Sequence, residues 1–429
     1  MTIHGSEKAL PGLRPDWFIN LAKRLPIDKG WWTLLFGLAW FFVLLWPLLG
    51  LHEDGSVTFD NTFAVWWKVS LAVTFFYILH RLKQRGTFSF MDAPLENSRS
   101  SVAGLVATTP NWLLVVIGLA ALIIFPHMFG RYAVDVAINV MVYICLGLGL
   151  NIVIGLCGLL DLGYIAFYGV GAYTYALLSS IYGIPFWLCL PVAAVLASIA
   201  GCIIGYPTLR MRGDYLAIVT LGFGEIVRII LNNWMSLTNG PNGVLGINPP
   251  GIWWFDFTNG LTLEHIWLRK LDLLYYVILG LAIFTIICVY RLNYSRVGRA
   301  WEAIREDETA AELMGVNTFL YKLLAYAMGA VFGGLAGAFF AARMRFVSPE
   351  SFTFLESAIV LSMVVLGGMG SIPGVILGAA ALIILPEVFR EFELYRMLAF
   401  GGAMTLMMVF KPRGLWPAKR LGQRSEERE

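Results

Sequence analysis

The chain has 429 residues, of which 58% are hydrophobic and only 14% charged, whereas a soluble domain is about a quarter charged. This balance excludes an ordinary soluble globular chain and leaves a membrane protein. The net charge of +3 says little by itself, because in a membrane protein the informative quantity is which loops hold the positive charges.

Lys8, Arg14, Lys23, Arg24 and Lys29 lie among Pro and Gly before the first apolar run, which has no small-residue cleavage site. A retained N-terminal segment over 1–30 is expected rather than a removable leader. A hydrocarbon core about 30 Å thick needs roughly 20 apolar residues per helix. Runs of that kind occur at 31–50, 63–81, 111–128, 132–154, 160–181, 184–207, 215–233, 272–290, 322–342, 354–370, 374–388 and 395–410. The predicted fold is all-α: a polytopic membrane protein with about 10–12 transmembrane helices, some broken or re-entrant. Between Tyr132 and Pro207 the only charges are Asp135 and Asp161, so this stretch is read as three spans divided near Gly158 and Gly183-Ile184-Pro185.

With the N-terminus placed in the cytoplasm, 22 Lys and Arg fall in inner loops and 7 in outer ones. That bias predicts both termini on the cytoplasmic side of the membrane. Two hydrophilic segments exceed a simple turn: an outer one at 233–272, rich in Gly, Pro, Asn and Trp, and an inner one at 291–322 that is charged and helix-prone. The five cysteines, Cys145, Cys157, Cys189, Cys202 and Cys288, sit in apolar segments with no Cys-x-x-Cys pair, and no histidine has a partner at ligand spacing. They read as packing residues, with no metal site expected.

No G-x-x-x-x-G-K-[ST] phosphate loop, Gly-x-Ser-x-Gly elbow or His-Glu-x-x-His occurs, so no catalytic residue and no cofactor is assigned. If such a chain moves a solute against its gradient, the energy comes from a partner chain or from an ion gradient.

In the inner segment the string GRAWEAIREDETAAELMG offers Ala300, Ile304, Ala311 and Met314 as an apolar side, with Glu302, Arg305, Glu306, Glu308 and Glu312 as charges. The pattern predicts one or two short helices lying across the cytoplasmic face. Glu308 and Glu312 form a like-charge i, i+4 pair, and this excess of acid suggests a basic partner. The plainer reading is a solvated connector between two spans.

ETAAELMG resembles the coupling loop of importer permeases, where Ala-Ala and a Gly four residues on end a short helix docked on an ATPase. Ala310, Ala311 and Gly315 match that spacing; Thr309 stands where the motif has Glu, and the downstream I-x-L-P is not recognisable. The strings GLLDLGYIAFYGVGAYTYALL, RMRGDYLAIVTLGFGEIVRIILNNW, LTNGPNGVLGI, GGLAGAFFAARMRFVSPESF and VVLGGMGSIPGVILGAA resemble the LivM branch of branched-chain amino acid permeases. The likeness spans roughly 110–411, and the two spans and basic linker at 31–110 are similar to that branch's N-terminal extension. It implies a permease core at 111–411 with a coupling segment at 291–321 and a cytoplasmic tail at 412–429. It also implies its partners: a LivH-like second permease, two cytoplasmic ATPase subunits that use the ATP, and a periplasmic amino-acid-binding protein delivering leucine, isoleucine or valine. Nucleic acid is not among them.

Glu225 and Arg228 lie near the middle of a span, where an unpaired charge costs about 2.5–3.5 kcal/mol on insertion scales. At i, i+3 they share a face and can pair; they either line a polar pathway or form an internal salt bridge that locks this helix to a neighbour. Asp161, between Gly158 and Gly163, is read as a cap on the helix start after a break, and Asp135 as a span-end residue without a role. The Gly-rich breaks at 155–171 and 367–378, with Gly163, Gly367, Gly368 and Gly370, either mark a solute path at a repeat interface or serve close helix packing. The competing reading is a self-sufficient ion-coupled secondary transporter using Asp135, Asp161 and Glu225 as proton or sodium sites.

Overall fold

The computed structural model describes residues 111–388 except 212, 257–261 and 269, together with 401, 405 and 414–416. The spans expected at 31–50, 63–81 and 395–410, the segment 1–30 and most of the tail lie outside the described residues.

Nine of the described helices coincide with the nine runs expected between 111 and 388. They are α1 (Asn111–Met128), α2 (Arg131–Asn151), α3 (Ile165–Tyr182), α4 (Phe186–Thr208), α5 (Asp214–Asn233), α7 (Leu271–Asn293), α10 (Thr318–Met344), α11 (Phe354–Gly367) and α12 (Ile372–Val388). Short helices α6 (Met235–Thr238), α8 (Arg296–Glu306) and α9 (Glu308–Leu313) fill the connections. Six segments of the described residues are long and apolar enough to cross a membrane. The chain is therefore a multi-pass, all-α membrane protein.

The bundle is organised around α2 and α10. Helix α2 carries apolar residues on every side from Val140 to Leu150 and is almost wholly buried there, as expected of a helix with no polar face. It runs on into a π-helical turn at Ile152–Leu156. Helix α10 meets its neighbours through small residues. A Cβ on Gly334 would come within 2.5 Å of the Ala197 Cβ on α4, and one on Gly171 of α3 would enter the Gly334 backbone. Without a hydrophobic force between helices in lipid, such close backbone approach is what holds them together. Helix α4 shows the consequence. Cys189, Ala193, Ala197, Gly201, Gly205 and Thr208 are buried at helical spacing, while Leu188, Val192, Val195, Ile199 and Ile203 remain exposed, an apolar face suited to acyl chains.

The loops sort into two groups at opposite ends, in agreement with the grouping derived from charge. At one end β1 (Val244–Leu245) pairs antiparallel with β4 (Phe346–Val347), and Asn248 Nδ2 donates to the Ser179 carbonyl at 3.4 Å. At the other, Arg305 reaches Gly155, and the amides of Leu415 and Trp416 donate to the carbonyls of Leu366 and Gly367, each at 2.9 Å. The long segment after α5 is not a plain loop: β2 (Gly251–Asp256) and β3 (Thr262–Trp267) form an antiparallel hairpin with Trp253 opposite His265. Its aromatic and β-branched residues favour strand over helix.

Two expectations about span ends are corrected. The span drawn at 160–181 begins only at Ile165, because Gly158 at φ +77 and the turn around Asp161 break the chain first. The span drawn at 354–370 ends at Gly367, followed by Gly368 at φ +119 and Gly370 at φ +86. Asp135 is also not idle. Its carboxylate binds Arg343 at 2.7 Å and joins α2 to α10, with Asn139 accepting a second Arg343 hydrogen bond at 2.5 Å.

Candidate functional site

The inner segment folds as two short helices set end to end. Ser295 begins α8, its hydroxyl accepting from the Gly298 amide at 3.2 Å. Asp307 breaks the run with extended backbone and starts α9, its Oδ1 accepting from the Thr309 and Ala310 amides at 2.9 and 3.0 Å. Such capping satisfies orphan donors and is worth about 1 kcal/mol. A six-residue helix would not persist by itself in water, so tertiary contacts must hold α9.

The contacts that hold the segment come from Trp301 and Arg305 on α8 and from Glu308 on α9. Trp301 is fully buried and donates through Nε1 to the Tyr321 carbonyl at 2.7 Å. Arg305 lies along Gly158 and donates to the Gly155 carbonyl in the π-turn of α2. Glu308 binds Lys322 of α10 at 2.6 Å. The expectation that Glu308 awaits a basic partner is therefore corrected, because its charge is already used inside the chain. Met314, expected on the apolar side, is also misplaced: Leu313 and Met314 are 83% and 85% exposed, while Ile304 and Ala311 are buried as expected.

The exposed surface of this ledge includes Ala310, Glu312, Leu313, Met314 and Gly315, with Glu302 half-buried beside it. Gly315 has φ +87, and nothing lies within 4 Å of where a Cβ would stand. It ends α9 in the left-handed region, where only Gly is free of strain. Two adjacent large apolar side chains held out on a capped, anchored turn form a protrusion suited to a cleft in another protein.

Under the ledge the two glycine-rich breaks meet at one residue. Asn151, fully buried at the end of α2, accepts through Oδ1 from the Gly370 amide at 2.8 Å. A Cβ on Gly155 would collide with that same Asn151 oxygen. Close packing accounts for the other glycines: a Cβ on Gly163 would strike the Thr220 carbonyl of α5, and one on Gly367 the Gly374 carbonyl of α12. Gly368 lies against Gly414, whose added Cβ would sit 2.6 Å from the Gly368 Cα. Asp161 is buried, and its Oδ1 accepts from the Gly163 amide at 2.9 Å. It thus closes the turn before α3; the residue preceding that helix, Tyr164, has no side-chain cap.

Glu225 and Arg228 do pair, but within α5, with Arg228 Nε donating to Glu225 Oε1 at 2.8 Å. The i, i+3 pairing expected from their spacing is thus present, and it joins the two residues to each other rather than to a neighbouring helix. Of the carboxylates on which the secondary-transporter reading rests, Asp135 and Glu225 are ion-paired with Arg343 and Arg228, and Asp161 holds the Gly163 amide through Oδ1.

Sequence reasoning missed Asn151, Trp301 and Lys322. A lone Asn inside the apolar string ICLGLGLNIVIGL was the available signal for the first, and a Trp at the centre of a charged helix for the second.

A family model described as branched-chain amino acid transport system / permease component matches residues 132–410. The chain is 44% identical over 406 residues to the "High-affinity branched-chain amino acid transport system permease protein LivM" of Escherichia coli K12, covering 90% of this chain and 94% of that protein. The Salmonella typhimurium LivM is equally similar, 44% over 404 residues, with the same coverage of both chains. The E. coli permease protein LivH is 27% identical over 291 residues, covering 64% of this chain and 90% of LivH. A polytopic helical core whose matched region holds both broken helices and the capped ledge thus belongs to the branched-chain amino acid transport system permease family.

Proposed function

We propose that this chain is one of two permease subunits of an ATP-driven importer, and that with a LivH-like second permease it forms the path for branched-chain, hydrophobic amino acids. The observation that carries this reading is the 44% identity to a LivM over nearly the whole chain. The ledge supports it from the geometry side, as a rigid protrusion with apolar tips. In this reading α8 and α9 are the coupling segment. Glu302, Ala310, Glu312 and Gly315 face the ATPase, Ala311 packs beneath, and Arg305 and Glu308 anchor the segment from within. ATP is bound and hydrolysed by two cytoplasmic partner subunits, so the chain itself needs no cofactor and is not an enzyme. A periplasmic amino-acid-binding protein delivers the solute to the opposite end.

The chain lies in the bacterial inner membrane with both termini cytoplasmic, the two N-terminal spans forming an extension ahead of the core at 111–411. Nucleotide-driven movement of the ledge would pull on Gly155 through Arg305, and on the break at Gly368–Gly370 through Asn151. Coupling then passes along contacts already present in the fold.

The test is uptake of labelled leucine, isoleucine and valine by the complete complex in proteoliposomes. Uptake is expected to require ATP inside and binding protein outside. Uptake by the chain alone under an ion gradient would overturn the reading.

A further inference from the structure

Helix α5 is packed on one side only. Leu216, Ala217, Thr220 and Gly224 are buried, whereas Ile218, Ile226, Ile229 and Ile230 are exposed. Within the partly exposed part lies a polar stripe at helical spacing, formed by Gly222, Glu225, Arg228 and Asn232. Gly222 has nothing within 4 Å of an added Cβ, which leaves open space beside Glu225. The side chains of Arg228 and Glu225 are 30% and 38% exposed.

A charged pair exposed at this depth does not fit against acyl chains, because intramembrane charges face a bundle interior or a water-filled cavity. The apolar residues of α4 suit lipid; the stripe on α5 does not.

Resting on the reading of the chain as an amino acid permease, we propose that the Gly222–Asn232 stripe lines the solute path at the junction with the second permease. There Glu225 and Arg228 open to read the amino acid zwitterion. Arg228 takes the α-carboxylate as a planar two-donor partner, and Glu225 takes the α-ammonium. The pair closes on itself when the path is empty, so neither charge is left uncompensated between turnovers. The exposed isoleucines beside it supply an apolar wall for a branched side chain. Recognition of the zwitterion thus occurs inside the membrane as well as at the delivering receptor.

The experiment uses the full importer reconstituted with saturating binding protein, comparing E225Q, R228Q and the double variant E225L/R228L with wild type. Assembly and ATPase stimulation by liganded binding protein are measured beside leucine uptake. We expect E225L/R228L to assemble, since an apolar pair leaves no charge unpaired. Leucine transported per ATP is expected to fall about tenfold or more, the scale of a lost charge-assisted contact. The exchanged pair E225R/R228E should restore assembly but not uptake, as the two halves of the zwitterion then meet the wrong charges.

In a second measurement, G222C should react with a charged, membrane-impermeant thiol reagent in the assembled complex, with wild type as the control for the five native cysteines. Wild-type uptake per ATP in E225L/R228L, or a G222C that resists the reagent in every nucleotide state, would overturn the proposal. Failure of the wild-type complex to take up amino acids with ATP would instead strike the underlying functional reading.

Discussion

Glu308 and Glu312 stand one helical turn apart on α9, yet the structure assigns them opposite duties, and Glu308→Gln separates them. Among the described residues, Glu308 carries the only ion pair between α9 and α10. Lys322, 9% exposed at its side chain, lies 2.6 Å from the carboxylate, which is itself 34% exposed. Removing one partner of a fully buried pair costs about 3–5 kcal/mol, because the other charge is left in a low dielectric. Partial exposure of the carboxylate side lets water reach the ammonium, and exposed pairs contribute at most about 1 kcal/mol. An intermediate loss of roughly 1.5–3 kcal/mol is therefore expected for local opening of α9.

At about 1.4 kcal/mol per factor of ten, amides 309–316 should exchange with deuterium about 10- to 100-fold faster in Glu308→Gln than in wild type, with the interior of α10 unchanged. Glu308→Leu combined with Lys322→Met should recover most of the protection, since no charge is then stranded. Glu312→Gln, on the free surface, should leave exchange unchanged while weakening co-purification of the ATPase subunit. Wild-type exchange over α9 in Glu308→Gln would refute the strut assignment.

Gly315→Val should insert normally but lose ATPase association, because a β-branched residue at φ +87 is strained by at least about 1–2 kcal/mol even though space for it exists; pull-down of the ATPase reads this. Asn151→Ala leaves the Gly370 amide without its acceptor at a cost of about 1–3 kcal/mol, and should lower the melting temperature of the assembled complex and its transport per ATP together. Gly171→Leu should abolish accumulation of folded protein, read by fluorescence-detected size exclusion, because its side chain would enter the Gly334 backbone. Reporter fusions after Gly86, Arg305 and Lys419 should report cytoplasm, and those after Ser56 and Asn242 the opposite side. A cytoplasmic Asn242 would overturn the topology from the sixth span onward.

Much of the architecture was legible in the sequence, because the determinants of a membrane fold are largely local. Hydropathy over about 20 residues locates a span irrespective of its neighbours, which is why all nine runs between 111 and 388 reappear as helices. Lys and Arg in the loops are counted loop by loop, and the ends they separate are the ends where the described loops meet. The pair of short helices in the inner segment was similarly readable from its apolar and charged pattern, the Ala-Ala and Gly315, though the Asp307 cap between them was not.

Tertiary structure alone decided which residues hold that framework and which are free to act. Asn151 meets Gly370 across 219 residues of chain, and Arg305 meets Gly155 across 150; no periodicity relates such positions. Glu308 and Glu312 are alike in charge and helical phase, and only the arrival of Lys322 from α10 makes one a strut and leaves the other for a partner. Glu225 and Arg228 were legible as a pair from their spacing, but their exposure on a half-packed helix was not. Exposure is set by which other helices cover a face, and that is a property of the closed bundle rather than of any one segment.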